Sequence, residues 1–411
     1  MNRKQLTLVL GLVVVIGGLG LWLWKSETGA YRASEGRMGQ KVLGDFDVNT
    51  VSAVTIKQGT NELTLAQQDE RWVVRERGGY PANFSEVSEL VRKLGELKVV
   101  QPVKGPLGPT ALERLELKPP GAGAKAATLV ELKDKDGKVL RSLLLGKKHT
   151  RQSSTPSPMG GDEGWPVGRY VMVPDRPESV SLVSETFSNA EPKPEQWLNK
   201  DFFKVEKPKT IAVTYPLAPT NSFKLQRETE SGEWTLADAV GEEKVDNSKV
   251  SGFSSALSWP SFNDVLADAK PADTGLDNPI VVEISTFDGF TYTLHVGNKS
   301  GEDAYHLALR VAGAFPKERT AGADEKPEDK EKLDKEFKEK TEKLQEKLKN
   351  EQALEKWTYL VSKWSLDSVL KERHTLLAET KAEQPSPAAA TAAPVETPPD
   401  LTAPPLPPPV P

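Results

Sequence analysis

Apolar and polar residues alternate along the chain in two series with the same order. Val51-Ser52-Ala53-Val54-Thr55-Ile56 opens the first series, and Thr210-Ile211-Ala212-Val213-Thr214-Tyr215 opens the second. A period of two puts every other side chain on one face, which is the pattern of a half-buried strand. A short strand follows in each, at 62–65 and at 222–225. A tryptophan strand comes next, Glu70-Arg71-Trp72-Val73-Val74 and Gly232-Glu233-Trp234-Thr235-Leu236. The period then changes to that of a helix. Phe84, Val87, Val91 and Leu94 form a stripe after Asn83, with Glu86 placed to complete a capping box. Val250, Phe253 and Leu257 form the matching stripe after Asp246. A hairpin follows in each series, turning at Asp136-Gly137 between 127–132 and 139–145, and at Asp288-Gly289 between 280–286 and 290–296. Asp-Gly suits such turns because both central residues favour positive φ. Gly146 and Gly297 end the second hairpin strands and are expected to let the chain leave the sheet sharply. One more strand and a closing helix are expected in each series. The first has a strand at 169–173, a helix over 177–187 and the closing segment 197–203. The second has 304–311, then 357–361, then a helix over 366–377.

This order predicts an α+β protein made of two tandem, similar modules, residues 45–206 and 207–380. Each holds a mainly antiparallel sheet with packed helices, and Lys207-Pro208 is the expected hinge. Residues 317–356 interrupt the second module with 25 charged side chains among 40 residues. Leu333, Phe337, Leu344 and Leu348 form a thin apolar stripe there. Glu331–Lys335, Asp334–Lys338, Glu336–Lys340 and Glu339–Lys343 are spaced as helix-stabilising pairs. The segment reads as a solvated helix, part of a hairpin or short coiled coil, that serves as a docking arm or is merely packed on its own domain, and the module is expected to fold without it.

The two ends differ from the rest. Residues 6–24 carry no charge over a length that as a helix spans about 28 Å, close to a bilayer's hydrocarbon core. Arg3 and Lys4 precede this run, and Trp22 and Trp24 end it, as expected of a basic flank and an interfacial aromatic belt. No small-residue cleavage site follows, so residues 1–25 read as an uncleaved single-pass anchor with the N-terminus inside. Thr7, Gly11 and Gly18 share one face of that helix, as glycine-rich membrane helices commonly show. Residues 26–44 read as a linker. Residues 381–411 read as a disordered Pro/Ala-rich tail, since residues 382–411 hold 11 of the chain's 32 prolines and cannot form a core.

Composition narrows the chemistry. With 54 Lys and Arg against 59 acids, no basic excess draws the chain to nucleic acid. The absence of cysteine excludes disulfides, thiolate metal sites and cysteine nucleophiles. The histidines, His149, His295, His306 and His374, form no metal-binding pattern, and no phosphate-loop, dinucleotide or serine-hydrolase motif occurs. Asp134-Lys135-Asp136-Gly137 resembles the start of a calcium loop but lacks the remaining ligands and fills a hairpin turn. The polar loop from His149 to Trp165, with Arg151, Ser153, Asp162 and Glu163, is the one place with the residue types of a ligand site, and it shows no nucleophile–base spacing. Trp72 and Trp234 read as core residues before they read as a sugar platform. No catalytic, cofactor-binding or metal-ligating residue is assigned, and no cofactor is expected.

The anchor, the paired Trp72 and Trp234 strands, the paired Asp-Gly hairpins and the closing segments 197–203 and 369–377 together resemble the bacterial domain-of-unknown-function 4340 family. The resemblance runs from Leu6 to about Leu377. The charged insertion and the proline tail are not part of the common pattern. It implies one N-terminal membrane helix, an exported repeating strand–helix region and no transferable catalytic residues. It further implies association with ABC-transporter components. The expectation is a non-enzymatic accessory subunit of an envelope ABC-transporter or secretion-type complex. It would be single-pass in the bacterial inner membrane, with its bulk in the periplasm and a permease or other envelope protein as partner. A module binding cell-wall glycan or lipid is the alternative, and a hydrolase is a third.

Overall fold

The computed structural model describes residues 37–103, 107–123, 125–151, 165–320 and 326–378. The span read at residues 6–24 and the tail read from 381 lie outside them. No helix among the described residues is long and apolar enough to cross a membrane.

Two antiparallel sheets carry the fold. The first contains β1 (Ala53–Gln58), β2 (Asn61–Gln68), β3 (Arg71–Val74), β4 (Tyr80–Pro81), β5 (Gln101–Pro102), β6 (Thr128–Lys133), β7 (Val139–Arg151), β8 (Trp165–Met172) and β9 (Ser181–Val183). Its order is β4-β3-β2-β1-β6-β7-β8-β9-β5. The second contains β10 (Pro208–Thr214), β11 (Phe223–Gln226), β12 (Thr235–Leu236), β13 (Phe262–Leu266), β14 (Ile280–Thr286), β15 (Phe290–Ser300), β16 (Ala304–Gly313) and β17 (Thr358–Ser362). Its order is β12-β11-β10-β14-β15-β16-β17-β13. Apart from the short β4, the two orders are the same. Their registers agree as well. Val54 lies opposite Leu65 and Leu132, and Ile211 lies opposite Leu225 and Ile284. All six of these side chains are buried.

Helix α1 (Phe84–Glu96) packs Val87, Leu90, Val91 and Leu94 on the first sheet. Its cap is Asn83, whose side chain accepts from the N–H groups of Ser85 and Glu86. The expected capping box is incomplete, because the Asn83 N–H donates to Trp197 O and Glu86 instead meets Asn189. Phe84, placed in the stripe by spacing, sits in the first turn and is 64% exposed, while Leu90 takes its place in the core. Helix α2 (Pro109–Arg114) precedes β6. In the second half the matching elements are shorter. Asp246 caps α3 (Asn247–Val250), which continues as a 3-10 turn, and α4 (Pro271–Thr274) precedes β14. The chain then forms α5 (Pro327–Gln352), α6 (Lys363–Asp367) and α7 (Arg373–Leu376).

Several expectations change here. Residues 177–187 are not a helix. They make one 3-10 turn and then β9, which bonds to both β8 and β5. β9 has the same place in its sheet as β17 in the other. Gly146 and Gly297 do not end their strands, which run on to Arg151 and Ser300. Both sit at a register irregularity where a crossing segment presses on the strand. A Cβ on Gly146 would run into the carbonyl oxygen of Leu115, and one on Gly297 into that of Thr274. Gly297→Ala is therefore expected to cost about 1–3 kcal/mol through overpacking against backbone, read as a lower denaturation midpoint. Residues 37–44, read as linker, bond along 97–99 and bury Leu43.

One hydrophobic cluster runs through both sheets, from Val54 and Leu65 to Tyr292 and Tyr359. The charged helix α5 is exposed over its first half, as its stripe predicts. Its intrahelical ion pairs include Lys332–Glu336, Lys335–Glu339 and Lys347–Glu351, while Asp334 and Lys340 reach off the helix to Arg319 and Asp288. Its last two turns are integrated into the module. Leu344 and Leu348 pack on the core, and Glu351 is 6% exposed. Gln352 and Glu355 bond the backbone of Val311, which β17 does not reach. The helical end thus seals the part of β16 that β17 leaves open.

Candidate interaction groove between the two sheets

The closing segment of the first module forms the floor of the seam. Ala82 and Leu198 form an antiparallel bridge, and the Asn199 N–H donates to Pro81 O at 2.9 Å. This lays residues 197–199 along the short edge strand β4. The next residues turn toward β13, the edge of the second sheet. Lys200 Nζ donates to Asn263 O at 2.9 Å and lies 4.6 Å from the centre of the Phe262 ring. The burial needed for these contacts pushes the Lys200 pKa down.

Aromatic rings close the seam from both sides. Tyr80 of β4 meets Trp357, Phe262 and Tyr359 of the second sheet at centroid distances of 4.8, 5.9 and 6.1 Å, all edge-on. Phe202 adds contacts to Phe262 and Tyr359. Edge-on packing suits the positive rim and negative face of such rings. At the margin, Arg77 grips Asp264 with two bonds of 2.7 Å, from Nε to Oδ1 and from Nη2 to Oδ2. A bidentate pair fixes the angle between its elements as well as their distance.

Above the floor lies an open groove of about 1000 Å³. Residues 199–204, Glu206, Trp259-Pro260, the last turns of α5 and Trp357 line it. Trp259 is 73% exposed, with Lys204 Nζ 4.1 Å from its ring centre. Six cations line the groove, Arg71, Lys200, Lys204, Lys343, Lys347 and Lys356, against the acids Asp201, Glu206, Glu346 and Glu351. Lys347 is already engaged, donating to Glu206 at 2.6 Å and to Lys204 O at 2.9 Å.

Glu351 anchors the helical wall. Its Oε1 accepts the Lys204 N–H at 3.0 Å, and its Oε2 lies 2.9 Å from the Tyr292 hydroxyl. That hydroxyl is also 3.0 Å from Lys204 O, so one tyrosine proton faces two acceptors. Burial pushes the Glu351 carboxyl above its ordinary range, opposed in part by the Lys204 N–H, Lys347 and Tyr292. A proton on Glu351 would complete the chain of bonds, running from Glu351 to Tyr292 to Lys204 O.

The residues singled out in the sequence do not gather here. His149 lies in β7, edge-on to Tyr170 at 6.0 Å, and Arg151 pairs with Trp165 further along the same ribbon. Ser153, Asp162 and Glu163 lie outside the described residues. His295 sits half-buried in β15, its pKa lowered by burial and by Arg310. His306 bonds Asn298 O at 2.8 Å, and His374 lies 3.3 Å from Glu372. Asp134 accepts the N–H groups of Asp136 and Lys138, which commits its Oδ1 to the turn. Trp234 is buried with its Nε1 on Ser254, while Trp72 is half-buried against the core. Among the described residues, no group of three or more His, Asp or Glu is placed to hold a metal.

The groove residues escaped the sequence reading. Trp259 had one available signal, a large aromatic in a Ser-Pro turn outside any periodic stripe. Glu351 had none, being one of many acids on a charged helix.

No curated protein and no solved structure matches the chain. Residues 159–279, a segment that runs from β8 across the seam to α4, match the family model described as Domain of unknown function (DUF4340).

Proposed function

We propose that the protein is a membrane-anchored accessory subunit that binds other envelope proteins and carries out no chemistry of its own. On this reading residues 6–24 hold it in the bacterial inner membrane, its two sheets lie in the periplasm, and its partner is an ABC-transporter permease or secretion-type component. The observation that carries the reading is the seam groove. It is open to solvent, lies over the aromatic rings of the seam and exposes Trp259 within a polar rim, and tryptophan in such a setting is enriched at protein-docking surfaces. Exposed tryptophan flanked by fixed packing is the usual anchor of such contacts.

The test is co-purification of the full chain from mild detergent. Trp259→Ala combined with Lys204→Glu is expected to remove partners recovered with the wild type while leaving thermal unfolding within a degree or two. Recovery of the bare chain under several extraction conditions would count against the reading.

A binding module for cell-wall glycan is the second reading. It is favoured by the open Trp259 ring, a flat apolar face of the kind that stacks on sugars. Retention of residues 37–378 on purified envelope polysaccharide, lost on Trp259→Ala, would select it over the first.

A further inference from the structure

We propose that the surface around Met38 and Val100, where the chain enters the first sheet, rests on the lipid headgroups of the membrane. The inference rests on residues 6–24 being an anchor.

The first described residues are bonded firmly to the sheet. The Gly39 N–H donates to Val99 O at 2.8 Å, the Val99 N–H to Gln40 O at 2.9 Å, and the Val42 N–H to Leu97 O at 2.8 Å. Lys41 and Lys98 form an antiparallel bridge. Through the Gly39–Val99 bond the backbone at Met38 lies near that at Val100, whose own N–H donates to Leu182 O. Both side chains nevertheless face solvent, Met38 at 56% and Val100 at 47% exposure. Lys41, Lys98 and Arg176 are exposed around them, and Arg37 is half-exposed, bonded to the carbonyl of Glu178. Asp45, which pairs with Lys41, Asp175 and the exposed Glu178 offset most of this charge and leave a small positive excess.

The tether makes this face the relevant one. Thirteen positions separate Trp24 from Arg37, so even a fully extended linker reaches about 45 Å. A short tether holds the entry surface at high effective concentration against the bilayer, so a small contact is populated that a free domain would not make. Two apolar side chains ringed by cations match a headgroup layer, with methyl groups toward the acyl boundary and lysines on anionic lipid. The exposed apolar residues on the second sheet lack this relation. Val240, for example, follows β12 at the outer edge of that sheet.

The chain has no cysteine, so one introduced thiol can be labelled cleanly. Met38→Cys, carrying an environment-sensitive fluorophore, is to be reconstituted as the full chain into vesicles of equal parts phosphatidylethanolamine and phosphatidylglycerol. Val240→Cys serves as the control. Flotation with the vesicles is expected for both. Blue-shifted emission and several-fold lower access to an aqueous quencher are expected only at position 38, and Val100→Asp should reverse most of that difference. Flotation with equal quencher access at 38 and 240 would overturn the proposal and leave the anchor intact. Failure to float would overturn the anchor reading, and the proposal with it.

Discussion

Tyr80→Ala is expected to lower the stability of the whole chain by about 3–5 kcal/mol, the range for removing a fully buried aromatic side chain. Tyr80 is 1% exposed and touches three rings of the other sheet. Its loss leaves a cavity between Trp357, Phe262 and Tyr359 that the paired edges cannot close, because Arg77–Asp264 holds them at a fixed spacing. The wild type should unfold in one calorimetric transition, since its core is continuous through both sheets. The alanine variant should show two transitions as the sheets uncouple. Tyr80→Phe should keep the single transition. A wild type that already unfolds in two steps would show that the seam carries little of the stability.

The second large effect separates the two ends of α5. Removing residues 318–340 and joining 317 to 341 with a short glycine–serine bridge is expected to change stability by less than about 1 kcal/mol, because Lys332–Glu336 and Lys335–Glu339 are exposed pairs and Asp288 keeps Lys207 when Lys340 is lost. The bridge can be short. The Ala314 N–H bonds Gly289 O, and Lys340 reaches the adjacent Asp288. Glu351→Ala, a single substitution, is expected to cost about 1–3 kcal/mol, because it leaves the part-buried Lys204 N–H without its acceptor. Extending the deletion to residue 352 should cost at least as much. An Ala variant as stable as the wild type would mean that the helix end is held by Leu344 and Leu348 alone.

The pH dependence of the same site has a definite sign. The Glu351 carboxyl is raised above its ordinary 4.5 in the folded protein, so the folded state holds that proton more tightly than the unfolded chain does. Its contribution is complete below the ordinary value and is lost as pH rises through the raised one. Glu351→Gln keeps an acceptor for Lys204 and supplies a permanent donor toward the Tyr292 oxygen. The glutamine variant should therefore gain stability relative to the wild type over the pH interval that starts at the ordinary carboxylate value and rises through the raised one. A difference that stays constant over this interval would show that Glu351 does not titrate there.

The family match supports one part of the sequence reading, over a narrower stretch than expected. It covers residues 159–279, where the resemblance was read from Leu6 to Leu377. The matched stretch joins the end of one sheet to the start of the next. It contains Lys200, Lys204 and Trp259 of the groove, though it includes neither α5 nor β17.

Local pattern determined much of this protein. Alternation in 53–58 and 208–214, the Asp-Gly turns at 136–137 and 288–289 and the cap at Asn83 each act over a few residues, so their strands, hairpins and helix were legible directly. The charged run at 317–356 likewise announced a solvated helix. What was not legible depends on partners distant in the chain. Residues 177–187 have helical spacing, yet Ser181–Val183 is drawn into a strand by open hydrogen-bonding edges on β8 and β5. Gly146 and Gly297 suggest an exit from the sheet, but their purpose is to admit the backbone of Leu115 and Thr274. Glu351 looks like any other acid of a charged helix until Tyr292 and Lys204, 59 and 147 positions away, close around it. Periodicity reports which face of an element is buried. Only the packed structure decides what that face meets, because edge pairing and ring contacts across the seam join residues that share no local pattern.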